Sequence, residues 1–150
     1  MKVFVTGVNG QLGHDVMNEL AKRGYEGVGS DLAPEYSGVE DGSAVTKMPY
    51  VSLDITDADA VDKVITDVNP DVIVHCAAWT AVDMAEDDDK VEAVRMVNVG
   101  GTQNIANVAK KLDVPMVYLS TDYVFDGQGT KPWEPDFTGH TPSNVYGEIK

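Results

Sequence analysis

Val3-Phe4-Val5-Thr6-Gly7-Val8-Asn9-Gly10-Gln11-Leu12-Gly13 is the stretch that decides the fold. It opens on a β-rich apolar run. Three glycines follow at G-x-x-G-x-x-G spacing. Leu12, Val16 and Leu20 then recur four residues apart and place one apolar face on a helix that Gly24 stops. In a strand–turn–helix each glycine has its own task. Gly7 permits the sharp turn, Gly10 leaves the backbone open to an approaching pyrophosphate, and Gly13 lets the helix pack against the sheet. The free amides and positive end of the helix then hold the phosphates. Glycine-rich turns also occur in α/β proteins that bind no nucleotide. The position of this one, in the first βαβ unit, is the context that favours a dinucleotide. Asn9, Gln11 and Leu12 share the turn and join the three glycines as expected cofactor contacts. No Gly-Lys-Ser/Thr follows, so it is not a mononucleotide P-loop.

Outward from this turn, strand-like and helix-like patterns alternate. Tyr25 to Gly29 reads as a second strand despite its glycines. Leu32 to Met48, polar and broken by Pro34, Gly38 and Gly42, reads as a surface loop. Val51 to Leu53 is a short third strand. Thr56, with Asp59 three residues on, is the expected cap of a helix whose apolar face is Val61, Val64, Ile65 and Val68. Pro70 ends it. Asp71 to His75 is β-branched and nearly continuously apolar, the mark of a strand covered on both faces. A long helix is expected from Lys90 to Lys111, and Pro115 opens a fifth strand, Met116 to Leu119. Residues 126–143, rich in Gly and Pro, read as loop. The order β-α-β-β-α-β-α-β gives an α/β fold: a doubly wound parallel sheet in three αβα layers, with ligands at the carboxyl ends of the strands. Asp31, at the end of strand two, is placed to accept hydrogen bonds from ribose hydroxyls and to repel a 2′-phosphate. No Arg or Lys follows until Lys47, which favours NADH over NADPH.

The 150 residues suit one domain and carry 25 acidic against 11 basic side chains, a formal charge of −14. Phosphates repel such a surface, which argues against nucleic acid and anionic membranes as partners. The glycine turn reconciles this acidity with a phosphorylated ligand, because it needs no basic patch. Cys76 is the only cysteine, so no intramolecular disulfide is expected. His14 and His140 make no recognisable metal triad, and no metal site is assigned. The N-terminal apolar run is too short for a signal peptide and no stretch is long enough to span a bilayer, so a cytoplasmic protein is expected.

The glycine spacing together with Tyr146-x-x-x-Lys150 resembles the short-chain dehydrogenase/reductase superfamily. Asn98-Val99-Gly100-Gly101-Thr102-Gln103-Asn104 is similar to the N-V-x-G-T-x-N helix of its extended branch, which acts mainly on nucleotide sugars. Three further stretches resemble the dTDP-4-dehydrorhamnose reductases: Ala77 to Glu86, Ser120-Thr121-Asp122-Tyr123-Val124-Phe125-Asp126-Gly127, and Asn144-Val145-Tyr146-Gly147-Glu148-Ile149-Lys150. The resemblance runs from residue 2 to residue 150. Trp79 departs from it, standing where tyrosine or histidine is common. Family members continue well beyond Lys150. Residues 1–150 therefore read as an incomplete Rossmann-like dinucleotide-binding domain, cut after the fifth strand, with the substrate-binding part outside the chain.

The resemblance implies hydride transfer from NADH or NADPH to the C4 ketone of a dTDP-linked deoxysugar, giving dTDP-L-rhamnose. Tyr146 would donate the proton. Lys150, one helical turn on, would lower the phenol's pKa from about 10 and reach the nicotinamide ribose. Thr121 would hydrogen-bond the substrate carbonyl, with Ser120 supporting the loop. Asp54 and Ile55 would face the adenine, and Ala77, Ala78 and Thr80 would lie along the cofactor. Tyr123 stands where related sugar dehydratases carry a glutamate, which disfavours dehydration. His75 reads as a hydrogen-bonded structural residue and Cys76 as a core filler. Asn98 is open between anchoring the backbone near the site and packing within the helix. Trp133 and Phe137 are open between covering the site and packing together. A nucleotide-sugar epimerase and a non-catalytic nucleotide-binding regulatory subunit remain as alternatives. Exposed sheet edges can drive association, and a homodimer is among the expected states.

Overall fold

The computed structural model describes residues 1–37 and 47–150. The loop expected over residues 32–48 is described at its two ends, and Gly38 and Gly42 lie outside the described residues. Five parallel strands form one sheet in the order β3-β2-β1-β4-β5. They are β1 (Lys2–Thr6), β2 (Glu26–Asp31), β3 (Tyr50–Ser52), β4 (Val72–His75) and β5 (Met116–Tyr118). In β1, Val3 and Val5 point to one face and Phe4 to the other, and all three are buried. Val3, Val5, Val72 and Val74 pack with Met17 and Leu20 of α1 (Gln11–Lys22). Phe4, Val28 and Ile73 pack on the opposite face with Val61 and Ile65 of α2 (Ala58–Val68) and with Ile105 and Val108 of α4 (Thr102–Leu112). These are the three expected layers. A third cluster joins Ala85, Val94 of α3 (Val91–Arg95), and Tyr146 and Ile149 of α5 (Val145–Ile149).

The glycines of β2 are what the sheet requires. A Cβ at Gly29 would stand 3.1 Å from Met17 Cε, and one at Gly27 would meet Met48 and Leu20. These two positions are small so that α1 can sit on the strand. Gly24 ends α1 as expected. It takes φ +69, Tyr25 N–H donates to Leu20 O and Gly24 N–H to Ala21 O, the paired bonds of a Schellman stop.

Four local expectations are corrected. The first turn of α1 buries Gly13 and His14, while Leu12 is 49% exposed. Leu12 faces a cleft at the carboxyl ends of the strands rather than the core. The cap of α2 is Asp57, whose carboxylate accepts Ala60 N–H at 3.0 Å; Thr56 instead binds Asp54. β3 begins one residue early and leaves Leu53 as a buried residue beyond it. The helix expected from Lys90 to Lys111 is α3, a wider π-type turn over Met96–Gly101, and then α4. A Cβ at Gly101 would stand 2.5 Å from Ile55, so the turn swells where the loop after β3 presses on the helix.

Candidate functional site

A cleft of about 710 Å³ opens at the carboxyl ends of β1, β2, β4 and β5, the size of pockets that hold organic cofactors. Its floor is the glycine turn. Gly7 takes φ +73, and a Cβ there would lie 2.6 Å from Ala77 N. A Cβ at Gly13 would lie 2.2 Å from Gly7 O. At these two positions the protein itself excludes a side chain. Gly10 differs, because its absent Cβ would meet only Gly7 O, at 3.3 Å. Gly10 is the N-cap of α1, and the amides after it begin a helix whose first intrahelical acceptor is Gly10 O, bonded by His14 N–H at 3.0 Å. The N–H groups of Gln11, Leu12 and Gly13 have no partner within the helix, and these three residues line the cleft.

Of the residues expected at the cofactor, Gly7, Gly10, Gln11, Leu12, Gly13, Asp31, Asp54, Ile55, Ala77, Ala78, Thr80, Tyr146 and Lys150 line this cleft. Asn9 does not line it; its N–H donates to Asp31 Oδ2 at 3.0 Å, and its side chain accepts Ser37 N–H. Thr121 also stands off the wall. Its Oγ1 accepts Tyr123 N–H at 3.3 Å and donates to Asp122, capping the short 3₁₀ turn Asp122–Val124, while Ser120 lines the cleft instead. Trp133 and Phe137 pack together and with Phe125 and His140, a cluster apart from the cleft lining. Cys76 is half-buried, packs against the core cluster of β1 and α1 as expected, and also reaches the cleft wall.

The walls are held by residues of the helix motif. Asn98, buried in the π-type turn, bonds both backbone groups of Trp79. Asn104 Nδ2 donates to Ile55 O at 2.9 Å and to Thr56 O, fixing the loop that carries Asp54. Thr102 Oγ1 bonds His75 Nε2 at 3.1 Å, and Thr6 Oγ1 bonds His75 Nδ1 at 2.7 Å. Thr6 Oγ1 also accepts Ala77 N–H. His75 is thus a buried bridge between β1, β4 and α4. Burial, and secondarily the charge of Lys150, push its pKa down to about 4, so the ring is neutral at pH 7. Thr102, Gly101 and Asn104 were not singled out among the site residues. Gly101 and Asn104 act on the loop after β3, more than forty residues earlier, and Thr102 on His75 of β4; the motif spacing is their one signal in the sequence.

Tyr146 is positioned by the residues on either side of it in α5 and by the ring of Tyr123. Asn144 Oδ1 caps α5 on Gly147 N–H at 2.8 Å, and Glu86 accepts Val145 N–H. A Cβ at Gly147 would lie 2.2 Å from Tyr123 O, so only glycine lets α5 approach that turn. The Tyr146 ring meets Tyr123 edge-on, with centroids 6.0 Å apart. Its phenol is pushed up from the ordinary value by burial and then by Tyr123. The expected depression by Lys150 is not found. The Lys150 ammonium lies 5.0 Å from the centre of the Tyr118 ring, and its backbone carbonyl accepts the Tyr118 hydroxyl. Burial lowers the pKa of Lys150 itself. The cleft therefore presents a protonated phenol, a cation turned toward Tyr118, two carboxylates (Asp31 and Asp54) and an amide-rich floor. Among the described residues no group of His, Cys, Asp or Glu could hold a metal, and no helix is long and apolar enough to cross a membrane.

Sheet order, glycine turn and cleft together define a Rossmann-like α/β protein. The chain belongs to the RmlD substrate binding domain family, whose model matches residues 1–150. It is 37% identical over 148 residues to the dTDP-4-dehydrorhamnose reductase of Streptomyces griseus, covering 98% of this chain and 41% of that protein. It is 32% identical to the methionine adenosyltransferase 2 subunit beta of Rattus norvegicus, over 99% of this chain and 40% of that one. Among solved structures, the dTDP-4-dehydrorhamnose reductase of Bacillus anthracis in complex with NADP matches with a TM-score of 0.76 and 32% identity, over 99% of this chain and 45% of the other. WbmH of Bordetella bronchiseptica in complex with NAD+ matches with a TM-score of 0.78 and 28% identity, over 99% and 49%. The chain spans about two-fifths of the length of the curated relatives it matches.

Proposed function

We propose that this chain is the nucleotide-binding part of an NAD(P)H-dependent reductase. The reaction is reduction of the C4 ketone of dTDP-4-dehydro-L-rhamnose to dTDP-L-rhamnose, with NADH the favoured donor. Gly10 carries the reading. Nothing in the protein forbids a side chain there except one carbonyl at 3.3 Å, so its glycine keeps open a surface that a ligand fills. That surface is the amide end of α1, which suits a diphosphate. The other residues fit a dinucleotide as well. Asp31 presents a carboxylate for ribose hydroxyls, Asp54 and Ile55 form an adenine wall, and Ala77, Ala78 and Thr80 leave a smooth path between them and Tyr146.

The nicotinamide, when bound, supplies the hydride. The chain supplies the proton and the field. Burial keeps the Tyr146 phenol protonated, the form needed to donate to a sugar oxygen gaining negative charge. Lys150 lines the same cleft and places a positive charge beside the developing alkoxide and the nicotinamide ribose. Thr121 reaches the carbonyl oxygen by giving up its bond to Asp122. The substrate-binding part, and the remainder of the sheet, belong outside residues 1–150 in this reading.

A second reading, a nucleotide-binding regulatory subunit, draws on one observation: Lys150 is engaged with Tyr118 and not with Tyr146. Supplying the intact protein with the dTDP-sugar ketone and NADH separates these readings. A reductase oxidises NADH in step with ketone loss, and Tyr146→Phe lowers kcat at least about a hundredfold while NADH still binds. An epimerase alters the sugar with no net NADH oxidation. A regulatory subunit binds NADH and turns nothing over.

A further inference from the structure

The segment after β2 is fastened by side chains that the proposed chemistry does not use. His14 of α1 is 1% exposed. Its Nε2 shares a hydrogen bond with Asn18 Nδ2 at 3.0 Å, and its Nδ1 shares one with Tyr36 Oη at 2.6 Å. The Tyr36 ring stacks on Tyr50, with centroids 5.9 Å apart and planes at 17°. The Tyr50 hydroxyl, a bifurcated donor, lies 2.5 Å from Ala33 O and 3.2 Å from Asp31 O. Burial pushes both phenols above their ordinary pKa, so they stay protonated. From the opposite side, Asn9 of the glycine turn gives its N–H to the Asp31 carboxylate and accepts Ser37 N–H. Residues 31 to 37 are thereby tied to α1, β3 and the glycine turn at once.

We infer that His14, Tyr36 and Tyr50 are positioning residues for cofactor selection: by pinning the Leu32–Ser37 segment they hold the Asp31 carboxylate against the cleft, where it reads ribose hydroxyls and repels a 2′-phosphate. The inference rests on the reading of the cleft as a dinucleotide site. A carboxylate discriminates between a hydroxyl and a phosphate only while it cannot swing away, because Coulomb repulsion falls with distance and rises as water is excluded. A pinned acid keeps that repulsion, and a loosened one sheds it. Residues 32–37 carry no Lys or Arg to offset Asp31.

Kd values for NADH and NADPH, measured on the intact protein at one salt concentration, test this. Tyr36→Phe keeps the ring on Tyr50 and removes the hydrogen-bond partner of His14 Nδ1. Tyr50→Phe breaks the same circuit at the Asp31 carbonyl. In each variant the ratio Kd(NADPH)/Kd(NADH) falls about threefold to tenfold, the worth of one hydrogen bond, while the folded protein still binds NADH. If both cofactors weaken equally and the ratio stands in both variants, the residues merely support the fold and the inference is overturned. A wild type that binds both cofactors without preference removes the Asp31 reading and this inference together. A wild type that binds neither removes the cleft reading itself.

Discussion

The side-chain amide of Asn98 closes a two-bond ring with the backbone of Trp79. Its Oδ1 accepts the Trp79 N–H at 2.8 Å and its Nδ2 donates to the Trp79 carbonyl at 3.1 Å. Asn98 is 3% exposed, so the ring forms away from water. Trp79 packs against the cluster that holds Tyr146, and the bond pair ties the π-type turn to the wall of the cleft. Asn98→Leu strips both partners and leaves two backbone groups unpaired in a dry site. Urea denaturation is expected to show a loss of about 3 kcal/mol.

His75 makes stability depend on pH. Its pKa is 6.5 in a free chain and about 4 in the fold, where burial disfavours the charged ring. As pH falls, the unfolded chain takes the proton first, so protonation favours unfolding. The contribution is complete above pH 6.5 and is lost as pH falls through about 4; its size is about 3 kcal/mol. Thermal midpoints across this window should fall more steeply for the wild type than for His75→Asn. Equal slopes would contradict the assignment.

Two glycines should respond in opposite directions. Gly13→Ala drives a Cβ to 2.2 Å from the Gly7 carbonyl, a contact between two backbone segments that cannot yield without opening the turn. A loss of about 3 kcal/mol or more is expected. Gly100 has nothing within 4 Å of its Cβ position and lies inside the helical run. Gly100→Ala should gain about 0.5–1 kcal/mol by restricting the unfolded chain. Thermal unfolding of the two variants measures both.

The parts of the fold legible in the sequence are those decided locally. The apolar run of β1, the glycine turn, Gly24 and the β-branched run of β4 each act within a few residues. The alternation of strands and helices then leaves a parallel sheet as the natural arrangement. The rest was set across the chain. The wider turn at Met96–Gly101 lies where Gly101 packs against Ile55, forty-six residues earlier, so close that a Cβ there would stand 2.5 Å from the Ile55 side chain. Leu12 follows the spacing of a core residue yet faces the cleft, because the glycine turn rotates the first helical turn toward the ligand side. Thr56 and Asp57 are both good caps, and Asp54 decides between them by engaging Thr56.

The site divides along the same line. The cleft gathers most of the residues that the glycine turn and the motifs mark out, because most stand just after a strand and α5 brings Tyr146 and Lys150 beside them. The partners of those residues were not legible. The pairing of Lys150 with the Tyr118 ring depends on where β5 lies beside α5. The chain from His14 through Tyr36 and Tyr50 to Asp31 depends on how the segment after β2 folds back over α1.

The most direct test of the central claim is an NADH titration of the intact wild type beside Gly10→Val, followed by nicotinamide fluorescence at fixed salt. The wild type should bind NADH, and the variant should melt close to the wild type yet bind at least about tenfold more weakly. In that case the added side chain occupies the space of the pyrophosphate and little else. Equal NADH affinity in a folded Gly10→Val protein would contradict the account, because the turn from Gly7 to Gly13 would then not be where a dinucleotide lies.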